Sequence, residues 1–392
     1  MNRKEESVES PRLLLGISSG TSADGVDLAL VRVAGPCARL SVRVLAGARE
    51  PMPASLQQRA RQSARWTIAD LAAAHHDFGR HFGRTAREFL RRTGTEPAAL
   101  TAAASHGQTV WHHDGNPREG TLQIGALPLI AQELGAPVIG DFRWGDLAEG
   151  GQGAPISPYA DWILHRAAGP GLGILNLGGI ANLTLLDGDH PPLAADCGPA
   201  NGPLDALVQA ETGAAFDMDG ALALAGKVLA AEATRLRQDP FFSRPLPRST
   251  GLERFGPGLA LDLRARNPLA SLADLLATLV DLAAWAVADA LHRARAPQNL
   301  PLYLCGGGAE NPALRQALAR HLGDPGRVRA YAELSPPGDL LGDGGLREAV
   351  AFALLGDAFL RGEPATWPST TGCRRPALLG IWCPANPGGS HS

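Results

Sequence analysis

Lysine is almost missing from this chain. Lys4 and Lys227 are the only two among 392 residues, arginine supplies the other cations, and the formal net charge is −3. Without a basic excess there is no electrostatic footprint for a polyanion, so a nucleic-acid partner is not expected. Cysteine is scarce and scattered, at positions 37, 197, 305, 373 and 383. An odd number without C-x-x-C spacing excludes a disulfide framework and points to a reducing, cytoplasmic compartment. Long charge-free apolar runs are lacking too. The most apolar stretch, Leu269 to Leu291, carries Asp274, Asp281 and Asp289 and does not read as a membrane span. The opening "MNRKEESVESPR" has no apolar core and does not read as a signal peptide. His112 and His113 have no partner at metal-ligand spacing, which argues against zinc.

Two common nucleotide signatures are also absent. Gly226-Lys227 is followed by Val228, and position 221 is alanine, so there is no Walker A loop. "LGGIAN" and "CGGGAEN" do not keep the G-x-G-x-x-G spacing of a dinucleotide fold.

The remaining pattern is an α/β one. Hydrophobic residues make up 45% and charged residues 19%, as in ordinary globular proteins, and the length suits two domains. "LLLGISSGTSADGVDLALVRV" contains G-x-S-x-G at Gly16–Gly20, the pattern of a hydrolase nucleophile elbow around Ser18. An elbow needs a helix after the turn. Here Asp24-Gly25 reads as a hairpin turn, and Val26, Leu28 and Leu30 follow at period 2 as a returning strand. "LGILNLGGIANLTLLDGD" repeats this design, with Gly178-Gly179 at the bend. Ala54 to Arg92 reads as helical, and "GTLQIGALPLIAQELGAPVIGDFR" as strand end, helix and strand. A short strand ends at Asp196 before "CGPANG" and a helix from about Pro203. A long helix covers Leu269 to Ala294, "LPLYLCGGGAENPALRQALARHL" is a strand, glycine loop and helix, and a last helix spans about Leu346 to Phe359. Glycine-rich turns expose successive N–H groups and helix N-termini add positive charge, so together these loops suit phosphate. Two related α/β lobes around a nucleotide cleft are expected.

Ten segments in one order, among them "SGTSADGVD", "SHGQTVWH", "DFRWGDLAEGGQGAP", "LNLGGIANLT", "DCGPANGPLDA", "DMDGALA", "STGLERF", "CGGGAENPAL" and "EAVAFA", resemble the anhydro-N-acetylmuramic acid kinase family over nearly the whole chain. The resemblance implies a two-lobed actin/hexokinase/Hsp70-like (ribonuclease H-like) ATPase fold. Lobe I would be 12–160, completed by the C-terminal helix of about 346–392, and lobe II 161–345. It implies ATP and Mg²⁺ as cofactors and a sugar substrate whose O6 is tied to C1. Water must attack C1 while O6 leaves to the γ-phosphoryl group, so one carboxylate suffices where glycosidases use two.

By the same resemblance Asp196 would be the base, although a carboxylate there also suits capping of the Cys197–Gly202 turn. Gly20, Thr21, Ser22, Ala23, Asp24, Gly25, Val26 and Asp27 would wrap ATP, with Gly178, Gly179, Gly306, Gly307 and Gly308. Asp24 or Asp27 would order Mg²⁺. His106, Arg143, Gln152 and Glu348 would meet the sugar. Trp144 and Gly145 stand where the family carries arginines, and Asp161 where it often carries histidine, which leaves a sugar kinase of altered specificity open. An actin/Hsp70-like ATPase module acting on a protein partner is the other reading, and a homodimer stays open.

Overall fold

The computed structural model describes residues 10–20, 22–36, 40–112, 120–169 and 171–385. Thr21, Cys37 and His113 fall outside them. Strands β1 (Arg12–Ser19), β2 (Gly25–Ala34) and β3 (Ser41–Pro51) form an antiparallel run. β4 (Ala102–His112) joins β1 in parallel, β5 (Thr121–Ile124) folds back on the end of β4, and β6 (Val138–Gly140) lies parallel to β4. The second sheet repeats this plan. β7 (Leu172–Leu177), β8 (Ile180–Leu186) and β9 (Leu193–Pro199) are antiparallel, and β10 (Leu302–Cys305) and β11 (Val328–Ala330) extend the β7 side in parallel. β12 (Ile381–Cys383) closes the first sheet beside β6. The orders β3-β2-β1-β4-β6 and β9-β8-β7-β10-β11 are therefore one topology used twice. The chain is thus an α/β protein with two sheets of the same strand order.

Packing explains several sequence features. The Ile68–Arg92 helix starts at a capping box between Thr67 and Asp70 and sets Ala74, Phe78, Phe82, Ala86 and Phe89 on one face. That face covers Leu15, Ile17, Val26 and Leu28 of the first sheet. Each fully buried phenylalanine contributes roughly 1.5–3 kcal/mol. The opposite face, with Leu14, Ala29 and Val31, is covered by the Arg347–Arg361 helix, which thus returns from the end of the chain to the first sheet. Gly16 permits that approach, because a Cβ there would sit 1.7 Å from the Ala349 carbonyl oxygen. The first glycine of G-x-S-x-G is thus a packing residue. No helix follows Ser18, and its side chain is fully buried.

The apolar Leu272–Arg293 helix begins three residues later than its composition suggests, leaving Leu269 outside it and exposed. It is long and apolar enough to cross a bilayer, yet 72% of that window is buried, packed on the second sheet. Two of its acids are ion-paired, Asp281 with Arg237 and His321 and Asp289 with Arg293, and Asp274 accepts the Lys227 N–H at 2.7 Å.

Candidate active site

The turn of the first hairpin differs from its expected form. The left-handed residue is Ala23, at φ 50°, and its N–H donates to the Gly20 carbonyl at 3.0 Å. Gly25 already belongs to β2, paired with Pro51 of β3, so the bend precedes Asp24-Gly25. Ala23 and Val26 bury their side chains in the core and can offer a ligand only backbone. A glutamine braces the turn. Gln108 Nε2 donates to the Gly20 carbonyl at 3.0 Å, and Ser19 Oγ bridges Gln108 Oε1 at 2.8 Å and the Gly25 carbonyl at 3.0 Å. Asp24 is exposed and takes Ser22 Oγ and Arg49 Nη2, both at 3.0 Å. Asp27 is more enclosed. Its Oδ1 is buried without a hydrogen bond among the described residues, 3.6 Å from Arg49 Nε. Burial pushes its carboxyl up to about 6 despite Arg49, and Glu348, Asp24 and Asp343 add to the rise.

Glu348 reaches the same hairpin from the C-terminal helix, accepting Ser18 Oγ at 3.1 Å. Arg143 lies within its field, and burial lowers the guanidinium to about 10 while Glu348 and Asp146 oppose that. Arg143 Nη1 donates to the Gly153 carbonyl at 2.8 Å, and Nε and Nη2 both donate to His106 Nε2, at 3.2 and 3.1 Å. An arginine can only donate, so His106 accepts at Nε2 and carries its proton on Nδ1. Burial and the Arg143 charge push His106 well below its ordinary value, and its ring stacks on Phe352 at 4.6 Å. His106 is thus a neutral support beneath Arg143. Gly107, at φ 76°, sits where the β1–β4 register shifts, and this re-aims His106. Gln152 lies in a loop held by buried Asp146, whose oxygens take Thr371 Oγ1 at 2.6 Å and the Gly153 N–H at 2.7 Å. The Gln152 N–H itself donates to the Thr371 carbonyl at 3.0 Å.

Packing and ion pairing account for Gly145 and Asp161, two of the positions at which the resemblance leads one to expect other residues. A Cβ on Gly145 would stand 2.4 Å from the Leu378 carbonyl oxygen, so no arginine fits there, and Trp144 is about half exposed at 49%. Asp161 is buried and ion-paired with Arg347, the residue before Glu348. Arg143 is the cation left beside Glu348 from this segment.

The second hairpin is built from backbone. Gly179 accepts the N–H groups of Ala200 at 3.1 Å and Gly202 at 3.0 Å, and Gly178 accepts that of Asn201 at 2.9 Å. The glycine loop after β10 closes on it: the Gly308 N–H donates to the Leu177 carbonyl at 2.8 Å, beside Asn201 Nδ2 at 3.0 Å. Gly306 has φ 82°, and a Cβ there would meet Asn176 Oδ1 at 2.4 Å. Gly306 and Gly307 stay exposed and Gly308 is buried. Helix Asn201–Thr212 starts two residues before the expected Pro203, because Asn201 is needed at the hairpin.

Asp196 lies inside β9, which runs on to Pro199. The β8–β9 register shifts here, Ala181 pairing with Gly198 and Asn182 with Asp196, so Cys197 is bulged and the Asp196 side chain is re-aimed. Its Oδ2 accepts the Thr250 N–H at 2.8 Å and Ser249 Oγ at 3.2 Å, while Oδ1 takes no hydrogen bond among the described residues. Desolvation pushes the carboxyl up to about 6, against the two hydrogen bonds; Glu253 adds to the rise and Arg248 opposes it. A carboxylate poised near neutrality with one free oxygen can take a proton from water.

The geometry thus makes two groups. Asp24, Asp27, Glu348, Arg143 and His106 gather on the first sheet. Asp196, Gly178, Gly179 and Gly306–Gly308 gather on the second, and no hydrogen bond or ion pair links Asp196 to the first group among the described residues. Sequence reasoning missed Gln108, Asn176, Asn201, Ser249 and Thr250, although each lies in a segment it had singled out. It also missed half-buried Asp205, whose carboxyl burial lifts to about 6.

Comparison with known proteins shows the family. The family model described as anhydro-N-acetylmuramic acid kinase matches residues 12–385. The anhydro-N-acetylmuramic acid kinase of Xanthomonas axonopodis pv. citri is 40% identical over 385 residues, covering 97% of this chain and 100% of that protein. The one from Gloeobacter violaceus is 39% identical, covering 96% and 99%, and the one from Bordetella pertussis 40%, covering 95% and 96%.

Proposed function

Since this chain belongs to the anhydro-N-acetylmuramic acid kinase family, we propose that Asp196 is the base that activates water for its reaction. The protein is an ATP-dependent kinase of peptidoglycan recycling, converting 1,6-anhydro-N-acetylmuramic acid to N-acetylmuramic acid 6-phosphate. In this reaction a water oxygen bonds to C1 as the C1–O6 bond breaks. O6 bonds to the γ-phosphorus, the bond from that phosphorus to the β–γ bridging oxygen breaks, and ADP leaves. The proton lost by water goes to Asp196. The observation carrying this reading is the Asp196 carboxylate, anchored through Oδ2 while Oδ1 takes no hydrogen bond among the described residues.

The ATP phosphates would lie between the hairpins, against Gly20–Asp27 on one side and Gly178, Gly179 and Gly306–Gly308 on the other. Lobe I would be 12–160 with the C-terminal return, and lobe II 161–345, with closure bringing Asp196 to the sugar. Hard carboxylate oxygens suit Mg²⁺, which keeps several waters and needs only one or two protein ligands. Asp27, with its unbonded Oδ1, and Asp24 would hold it, and when bound it would neutralise phosphate charge. Arg143 would meet the sugar carboxylate, held in place by His106, with Gln152 and Glu348 at the hydroxyls. We place the enzyme in the cytoplasm, where ATP is available. Incubation in ¹⁸O-water with ATP, Mg²⁺ and the anhydrosugar tests the scheme. Label should enter at C1, and label on phosphate would mean plain ATP hydrolysis.

A further inference from the structure

β9 is the edge strand of the second sheet, so Asp196 has no neighbouring strand on one side. The segment 248–252 covers that edge. The Asp196 N–H donates to the Arg248 carbonyl at 2.9 Å, and Arg248 Nε returns to the Asp196 carbonyl at 3.3 Å. The Arg248 guanidinium is buried, giving Nη1 to the Phe242 carbonyl at 2.9 Å and resting on the Phe241 ring at 4.6 Å. The other end is fixed by Leu252, which fills the space left by two glycines. A Cβ on Gly179 or Gly202 would stand 3.0 or 2.5 Å from its Cδ2. The segment thus spans from the phosphate hairpin to Asp196, and its middle residues both bond the same carboxylate oxygen.

Resting on the reading of Asp196 as base, we propose that Ser249 is a positioning residue for it: with the Thr250 N–H, the Ser249 hydroxyl fixes Oδ2 and so aims Oδ1 at the attacking water. Ser249 Oγ makes no other hydrogen bond among the described residues, so its bond to Asp196 is not shared with a second structural tie. Two donors on one oxygen restrict rotation of the carboxylate about χ2, which one donor on an edge strand would not. The hydroxyl also favours the ionised form, against burial and Glu253 and in the same direction as Arg248, which itself lies 3.8 Å from Asp289.

The test uses the full chain with ATP, Mg²⁺ and the anhydrosugar, reading kcat and KM from pH 5 to 8. Removing the hydroxyl in Ser249→Ala should move the acid limb of kcat upward by roughly half a unit or more. It should also lower kcat at neutral pH about three- to tenfold, with KM for ATP and sugar changed less than twofold. Ser249→Thr, which keeps a hydroxyl, should restore both. If Ser249→Ala does not fold, Ser249→Gly is read in the same way. A wild-type limb and kcat in the hydroxyl-free variant, with Asp196→Asn inactive, would overturn the role of Ser249 alone. A fully active Asp196→Asn would overturn the base itself.

Discussion

The two hairpins occupy equivalent places in one repeated topology, but they are made from different materials. The first is shaped by side chains: Gln108 and Ser19 hold the turn, and Asp24, Asp27 and Glu348 surround it. The second is shaped by main chain, its glycine carbonyls tied to the N–H groups of residues 200–202 and its rim closed by Gly308. A phosphate approaching the first meets carboxylates and needs a cation between them. Approaching the second, it meets glycines whose missing side chains leave the backbone within reach. Duplication of a fold therefore does not duplicate the electrostatics. Asp24, Asp27 and Glu348 stand at the first sheet and Asp196 on the second, so under the proposed scheme the chemistry needs both.

The largest break in this contrast should come from Asp196→Asn. Turnover should fall by roughly 10²–10⁴, while binding of a non-hydrolysable ATP analogue, followed by calorimetry, stays near wild type. Next is Gly306→Ala. The added methyl group meets Asn176 in a left-handed backbone, so KM for ATP should rise about tenfold at every Mg²⁺ concentration, with a stability loss of about 1–3 kcal/mol in urea. Asp27→Asn should do the reverse: at saturating Mg²⁺ its KM for ATP stays close to wild type, but the Mg²⁺ needed for half-maximal rate rises about tenfold. An unchanged Mg²⁺ requirement would move the metal away from the first hairpin. Gln108→Ala removes the Nε2 bond to the Gly20 carbonyl and the Oε1 partner of buried Ser19 Oγ, and should cost about 1–2 kcal/mol of stability in denaturant titration.

The smallest effect is on stability against pH. Asp27 and Asp196 both titrate near 6 in the fold, above their ordinary value of 3.8. Between those values the unfolded chain has lost protons that the native protein keeps, so stability should fall as pH rises from about 4 to 6 and then level off. Asp196→Asn should therefore melt higher at pH 7 than wild type while being inactive, and Asp27→Asn should flatten the same slope.

Much of this was legible along the chain. Period-2 apolar runs, glycine turns and the Phe78, Phe82 and Phe89 spacing give strands, hairpins and the Ile68–Arg92 helix, because those signals are local. Local order also placed Asp196 beside a glycine turn and Asp24 and Asp27 in a hairpin. The pattern G-x-S-x-G shows the limit of such reading, since Gly16 answers to a helix that begins at Arg347, and neighbours in sequence carry no trace of that contact. Gly145 likewise answers to the Leu378 carbonyl, and Asp161 to Arg347. Register shifts in both sheets decide where His106 and Asp196 point, and a bulge depends on the partner strand as much as on its own residues. The sequence alone determined which elements form and which residue types lie at their ends, because hydrogen bonding and apolar periodicity act over a few residues. Only the tertiary structure decided which acids ionise reluctantly, which arginine stands beside Glu348 and which hydroxyl bonds Asp196. Desolvation and hydrogen bonding across long stretches of chain exist only once the lobes are packed.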